Sequence, residues 1–210
     1  MSGEVPEAWL ALVKSPDAVH VRELWAPASE VLPRFVDYLS RSILDAKIGV
    51  CGTGHILVYQ LKDWDENRIN GYEDGFMMAG KPTPPSCIDR FEGEMGEIPR
   101  SLRTLWELHG FVRLKSDEFL KSVDPAQQLF SHTPELLPAK EDRWQAGRRL
   151  ECLVIVESTY DLMTCLTRQP GTRRWDDLLV SAEYWGNTMR ETQYRGIDDL
   201  LADWSFRSWE

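Results

Sequence analysis

A thiol and an imidazole flank two glycines in the segment CGTGH at 51–55. Cys51 has the chemistry of a nucleophile and His55 that of a general base, the pairing that activates the thiol of cysteine hydrolases. Nothing in the spacing identifies a carboxylate that would orient His55. No Gly-Lys-Ser/Thr sequence follows that would make the glycines a phosphate-binding loop. The segment therefore favours the turn of a β-hairpin, and a small Cys/His hydrolase is kept as an alternative function.

The segment 63–76, DWDENRINGYEDGF, concentrates acidic and aromatic residues. Asp63, Asp65, Asn67 and Asp74 match the ligand positions 1, 3, 5 and 12 of a calcium-binding loop. The position that requires Gly is Arg68, and the last ligand is Asp rather than the usual bidentate Glu. The spacing therefore favours a solvated acidic loop over a metal site.

The same loop is the best candidate for a protein-binding surface. Its carboxylates surround Trp64, Tyr72 and Phe76, and acidic groups around aromatic anchors suit a basic, grooved partner. Trp144 lies in a second polar segment. The residues predicted to contact a partner are Asp63, Trp64, Asp65, Glu66, Glu73, Asp74 and Trp144.

The remaining histidines and cysteines show no ligand pattern. The four His and four Cys are widely spaced, with no C-x-x-C pair, so we predict no metal, no cofactor and reduced, mostly buried thiols. His109 falls on the apolar face of a predicted helix, near its end. We expect its ring to donate to the backbone or to interact with the helix dipole.

Charge and hydropathy limit the class of protein. The net charge of −10 argues against nucleic-acid binding, which needs a basic face, and suits a basic protein partner. No apolar run approaches the roughly 20 residues that span a bilayer. The acidic start MSGEVPEAWL lacks the basic and apolar regions of a secretory signal. We therefore expect a cytoplasmic protein that does not bind membranes.

The segment 86–110 has the clearest helix start and stop signals in the chain. Ser86 is a good N-cap for a first helix, and Gly96 is expected to stop that helix. Pro99 suits the start of a second helix, and Gly110 is expected to supply a left-handed turn after it. Glu92 is expected to be structural, accepting hydrogen bonds from amides near the following turn.

These residues resemble the signature of the SUKH superfamily, which includes many bacterial immunity proteins and a yeast cell-wall synthesis regulator. In that signature an I-x-x-x-E helix precedes a Leu-Pro step, a helix and an Asn-Gly turn. Here Ile98 replaces the Leu and His109 replaces the Asn. The resemblance covers about residues 86–208, and its positions are Ile88, Glu92, Gly96, Pro99, Trp106 and Gly110.

The rest of the chain predicts an α+β fold with one domain. Periodicity indicates helices over 5–14, 30–44, 116–123 and 196–204, and strands over 20–25, 47–51, 56–62, 111–115, 150–157, 161–168 and around 178–182. Segments 63–85 and 124–148 are expected to be mainly loop. The resemblance implies helices on one side of a mostly antiparallel sheet, with residues 86–210 as the SUKH-like core. Residues 1–85, which the resemblance does not explain, are expected to form an N-terminal α+β extension.

The resemblance also implies a function. It predicts a non-enzymatic immunity protein of a bacterial polymorphic-toxin system, which binds a cognate toxin, such as a basic nuclease, and blocks its activity. A regulatory protein-interaction module of the same fold, with no toxin partner, is the first alternative.

Overall fold

The structure is a computed structural model and describes residues 4–51, 54–62, 74–114, 118–120, 135–137, 150–158, 163–177, 179–185 and 188–206. The helices are α1 (Glu7–Lys14), α2 (Ala18–Leu24), α3 (Pro33–Ser42), α4 (Pro85–Met95), α5 (Arg100–Leu108) and α6 (Ile197–Phe206), with a short 3₁₀ helix at Ala26–Ala28. The strands are β1 (Ile43–Cys51), β2 (Gly54–Lys62), β3 (Asp74–Ala79), β4 (Val112–Leu114), β5 (Glu118–Leu120), β6 (Glu135–Leu137), β7 (Leu150–Ser158), β8 (Met163–Arg168), β9 (Leu179–Trp185) and β10 (Thr188–Tyr194).

The described strands form one sheet in the order β1-β2-β3-β4-β5-β7-β8-β9-β10, and β6 pairs with β7 beside β5. Every pairing between these named strands is antiparallel. The α+β class and the mostly antiparallel sheet predicted from the sequence are confirmed. The segments that form α1, α3, α6, β1, β2, β4, β7, β8 and β9 were also predicted with the right type of element. The helix predicted over 30–44 is too long, because α3 ends at Ser42 and Ile43 and Leu44 already belong to β1, where they pair with β2.

The core lies against one face of the first strands. Leu57, Tyr59 and Leu61 of β2 are buried, whereas the alternating residues Val58 and Gln60 are partly exposed. This alternation is the period of a strand with one covered face. The helices bring large aromatic residues to that face, and Trp9 of α1, Trp25 after α2 and Trp106 of α5 are buried there.

The chain segments on either side of residue 85 meet in this core. β3 pairs with β4, and α3 contacts α6. Asp198 of α6 reaches the start of α3, where its carboxylate accepts from the backbone N–H of Phe35 at 3.0 Å and of Arg34 at 3.3 Å. α3 has no cap from its own flanking side chain, so the distant carboxylate serves that role. The division of the domain at residue 85 stays a prediction.

The strand predicted over 20–25 is wrong, because these residues belong mostly to α2. The carboxylate of Asp17 accepts from the N–H groups of Val19 at 2.9 Å and His20 at 3.0 Å, which caps the helix. Val21 and Leu24, three residues apart, are the buried positions. The short apolar alternation of this segment fits a helical face equally well, and the cap decides between the two.

Four strands lie where the sequence does not predict a strand. β3 lies inside the segment 63–85, which we expected to be loop, and it pairs with both β2 and β4. β5 replaces the helix predicted over 116–123, and β6 lies within the predicted loop 124–148. β10, which follows β9, was not predicted at all. Each of these segments is a strand because a neighbouring strand pairs with its backbone, which local propensity does not report.

The boundaries of the signature segment also differ from the prediction. Ser86 is not the N-cap of α4, because Pro84 holds that position and the helix begins at Pro85. Pro99 is the N-cap residue of α5 rather than its first helical residue. Gly110 supplies no left-handed turn, since among the described glycines only Gly96, Gly171 and Gly196 have positive φ. α5 ends at Leu108 with an extended His109, and the Gly110 N–H bonds to the Lys81 carbonyl at 2.7 Å.

Candidate functional site

The structure describes the two ends of the predicted partner-binding loop. Lys62, at the end of β2, pairs with Asp74, at the start of β3, so residues 63–73 link two adjacent strands. Phe76 follows on β3 with 47% of its surface exposed, opposite Gln60. Residues 63–73, with Asp63, Trp64, Asp65, Glu66 and Glu73, and the second candidate Trp144 lie outside the described residues.

The calcium-like spacing falls mostly in the same segment. Of its positions only Asp74 belongs to a described element, as the first residue of β3. Within the part of the chain that the structure describes, no group of three or more His, Cys, Asp or Glu side chains could hold a metal ion.

The Cys51–His55 candidate lies at a β-hairpin, as the glycines predict. In the pairing of β1 with β2, Cys51 is opposite Gly54 and His55 is opposite Val50. The two positions thus occupy neighbouring register pairs, and neighbouring pairs alternate between the faces of a sheet. The pairing provides no geometric support for a hydrolase. The hydrolase stays a prediction, which a thiol-reactivity assay on Cys51 would test.

Glu92 connects α4 to the start of α5. Its carboxylate accepts from the Ile98 N–H at 3.2 Å, as the sequence predicts, and also forms an ion pair with Arg103. The guanidinium of Arg103 contacts Asp89 at 2.7 Å and Glu107 at 3.0 Å as well. Hydrogen bonding to Asp89 is the main cause that raises the pKa of Arg103. Glu92 is therefore a structural carboxylate.

Gly96 lies in close contact with the turn that follows β8. The Glu97 N–H donates to the Arg173 carbonyl at 2.7 Å, and the Trp175 N–H donates to the Glu97 carbonyl at 2.8 Å. A Cβ at residue 96 would lie closer than 3.0 Å to the Arg173 carbonyl oxygen and to the guanidinium of Arg168. Gly96 therefore does more than end α4, because only glycine lets the two segments approach.

Arg168 and Trp175 complete this junction. The Met95 carbonyl at the end of α4 accepts from an Arg168 guanidinium nitrogen at 2.6 Å and from the Trp175 indole N–H at 3.0 Å. The Arg168 guanidinium lies 4.1 Å from the centroid of the Trp175 ring and forms an ion pair with Glu151. Sequence reasoning missed both residues. The sequence offers one indication of this junction. Arg168 ends a predicted strand, and Trp175 follows shortly after the turn at Gly171.

His109 belongs to a buried hydrogen-bond network. Its Nδ1 lies 3.2 Å from the Gly80 carbonyl, which can only accept, so Nδ1 carries the proton and the predicted donation to backbone is confirmed. Its Nε2 then accepts from the Tyr59 hydroxyl at 3.1 Å, and that hydroxyl oxygen accepts from the Trp25 indole N–H at 3.2 Å.

This network is sealed from solvent. His109, Tyr59 and Trp25 are each 0% exposed. Burial lowers the pKa of His109 to about 4 and raises the pKa of Tyr59, so both groups are neutral near pH 7. Since no ligand can reach it, the network holds the helices to the sheet and is not a reaction site.

Comparisons with protein-family models, with curated proteins and with solved structures found no match to this chain. Among the described residues, no helix has both the length and the apolar character needed to cross a membrane.

Proposed function

We propose that this protein is a non-enzymatic, cytoplasmic immunity protein of the SUKH type, which binds and neutralises a cognate bacterial toxin by protein–protein contact. The toxin presents a basic surface. A nuclease fits this description, because an enzyme that binds nucleic acid needs a basic face for the phosphates.

The observation that carries the proposal is the connection between α4 and α5. Three of the residues that resemble the family signature serve the fold, since Ile88 is buried, Glu92 accepts from the Ile98 N–H, and Gly96 leaves room for the turn after β8. A signature whose residues are structural leaves recognition to surface loops, which is how immunity proteins of one fold would bind different toxins.

The position and composition of the 63–76 loop support the same function. The loop joins β2 to β3, so its base is fixed by a paired strand on each side. Its five carboxylates contribute to a net charge of −10, and Phe76 at its end exposes an aromatic ring. A fixed base lowers the entropy lost on binding, and the negative field accelerates encounter with a basic partner.

The test is co-expression with the product of the neighbouring gene, followed by a survival assay and by titration of the purified proteins. We expect rescue of growth and a one-to-one complex whose dissociation constant rises with salt. Changing Asp63, Asp65 and Asp74 to Asn and Glu66 and Glu73 to Gln should weaken binding by about tenfold or more and reduce the salt dependence.

A matched control removes the same charge elsewhere. Its five substitutions are Glu23→Gln, Glu94→Gln, Glu97→Gln, Asp176→Asn and Asp177→Asn, all at exposed positions. If the control weakens binding as much as the loop variant does, the loop is not the contact site. If the neighbouring product is not toxic, or is toxic and remains so with this protein bound, the immunity function is wrong.

A further inference from the structure

The first three strands of the sheet have a second face that also carries apolar residues. Leu57, Tyr59 and Leu61 of β2 are buried in the core, so Ile56 and Val58 between them point to the other side. The antiparallel pairing places residues of β1 and β3 beside them on that side. We call this side the outer face, and its apolar positions are Gly49, Ile56, Val58, Phe76 and Met78.

The helices that pack on these strands lie on the opposite face. The ring of Trp9 from α1 lies 5.8 Å from the ring of His109, which bonds to Tyr59 on the core side of β2. On the outer face, Phe76 is 47% exposed and the other three apolar side chains are partly exposed. Neighbouring exposed apolar residues mark interaction surfaces, whereas single ones do not.

Gly49 leaves a low point in the outer face. It is not among the glycines with positive φ, so its backbone does not require glycine, and what it contributes is the absence of a side chain. An added Cβ would lie 3.2 Å from Cγ1 of Ile56 and 3.6 Å from Cγ2 of Val58. These two side chains therefore border the space above Gly49. Glycine inside a strand often marks a place where another molecule approaches closely.

The outer face continues into the acidic segment 63–76. Phe76 belongs to both, and β3 begins at Asp74 two residues before it. An apolar centre with a charged rim is the usual composition of a protein interface. The charge selects the occupant, because a second copy of this chain carries the same net charge of −10, whereas a basic protein is attracted to it.

We propose that the toxin docks on the outer face, with an apolar side chain above Gly49 and its basic residues toward the acidic segment. This inference rests on the proposed function and adds the apolar part of the contact. The acidic segment accelerates encounter, and salt screens its effect. Burial of the outer face stabilises the complex through the hydrophobic effect, which salt does not screen in this way.

Calorimetric titration with the purified toxin, the product of the neighbouring gene, tests the contact. Gly49→Gln adds a side chain at the centre of the outer face, and Phe76→Ala removes its most exposed ring. Each should raise the dissociation constant about tenfold or more. The increase should be equal at low and high salt, whereas the effect of neutralising the acidic segment should shrink at high salt.

Two variants on the helices are matched controls. Gly93→Gln adds the same side chain at an exposed glycine of α4, where no atom lies within 4 Å of an added Cβ. Leu10→Ala removes a side chain of α1 that is 50% exposed, close to the exposure of Phe76. Both should keep the dissociation constant within about twofold of the wild-type value.

Oxidation of methionine by dilute hydrogen peroxide, followed by mass spectrometry, tests the unmodified chain and does not depend on how the variants fold. Met78 on the outer face and Met95 on α4 are both partly exposed. Bound toxin should slow the oxidation of Met78 several-fold and leave that of Met95 unchanged, because oxidation follows exposure.

The outcomes separate this contact from the proposed function. If the toxin is neutralised but binds Gly49→Gln as tightly as the wild type, or leaves Met78 as reactive as in the free protein, the outer-face contact is overturned and the immunity function stands. Protection of Met78 at high protein concentration without toxin would assign the face to a second copy and overturn the contact as well. If the neighbouring product forms no complex at all, the proposed function is wrong and this inference with it.

Discussion

Replacing Gly96 by Ala should be among the most damaging single-methyl changes in this protein. Gly96 has φ 103° and ψ 166°, a region that residues with a Cβ almost never adopt. Its added methyl group would also meet the backbone carbonyl of Arg173, which cannot move without disturbing the turn after β8. Two independent costs therefore act at one position.

The magnitude follows from these costs. Holding a residue with a Cβ in this region costs about 1–3 kcal/mol. Displacing the Arg173 carbonyl weakens its hydrogen bond from the Glu97 N–H, which is worth about 1 kcal/mol. The guanidinium of Arg168 must shift too, which disturbs its bond to the Met95 carbonyl. Together we expect the free energy of unfolding to fall by about 3–4 kcal/mol.

Two further glycines separate the costs. Gly171 has φ 85° but no atom within 4 Å of an added Cβ, so Gly171→Ala should lose only about 1–2 kcal/mol of backbone strain. Gly93 lies inside α4, also with nothing within 4 Å of an added Cβ, and Gly93→Ala should stabilise by about 0.5–1 kcal/mol.

The assay is urea unfolding of the four proteins, followed by tryptophan fluorescence and circular dichroism under identical conditions. The expected order of stability is Gly93→Ala, wild type, Gly171→Ala, Gly96→Ala. If Gly96→Ala is no less stable than Gly171→Ala, the close approach of Arg173 contributes nothing, and the structural account of this junction is refuted.

Three other changes test the buried network and the helix caps. The pKa of His109 is lowered from 6.5 to about 4 in the folded protein, so the unfolded chain binds the proton first. The contribution of His109 to the free energy of unfolding is therefore fully present above pH 6.5, and it is lost as the pH drops toward 4, by up to about 3 kcal/mol. Urea unfolding of His109→Gln should lack this component of the pH dependence. Asp17→Ala removes the cap of α2 and should lower the melting temperature by about 3 °C, measured by calorimetry. Asp198→Ala removes the acceptor at the start of α3 and should cost about 1–2 kcal/mol in urea unfolding.

Conservative variants are the controls for these changes. Asp17→Asn keeps an oxygen acceptor and should retain most of the cap, as should Asp198→Asn. A wild-type pH profile that matches that of His109→Gln would contradict the buried, neutral imidazole. Equal losses for the Ala and Asn variants at position 198 would show that charge, not the hydrogen bond to the Phe35 N–H, supports α3.

Elements with a local pattern could be predicted from the amino-acid sequence alone. α3 and α6 repeat apolar residues at the helical period, and β7 and β8 are apolar runs separated by polar residues that permit a turn. The role of Glu92 was also predictable, because the carboxylate lies only six residues from the amide it binds. The acidic 63–76 loop was likewise a prediction from composition, and it remains the basis of the proposed partner contact.

Elements and contacts whose partners are distant in sequence required the tertiary structure. β3 contains Gly, Met and Ala, and it is a strand because β2 and β4 bond to it on both sides. Asp198 caps a helix that begins more than 160 residues earlier in the chain, and Gly96 is required by a carbonyl at residue 173. Backbone hydrogen bonds and close approaches of this kind depend on which segments meet in space, and the spacing of residues along one segment carries no information about them.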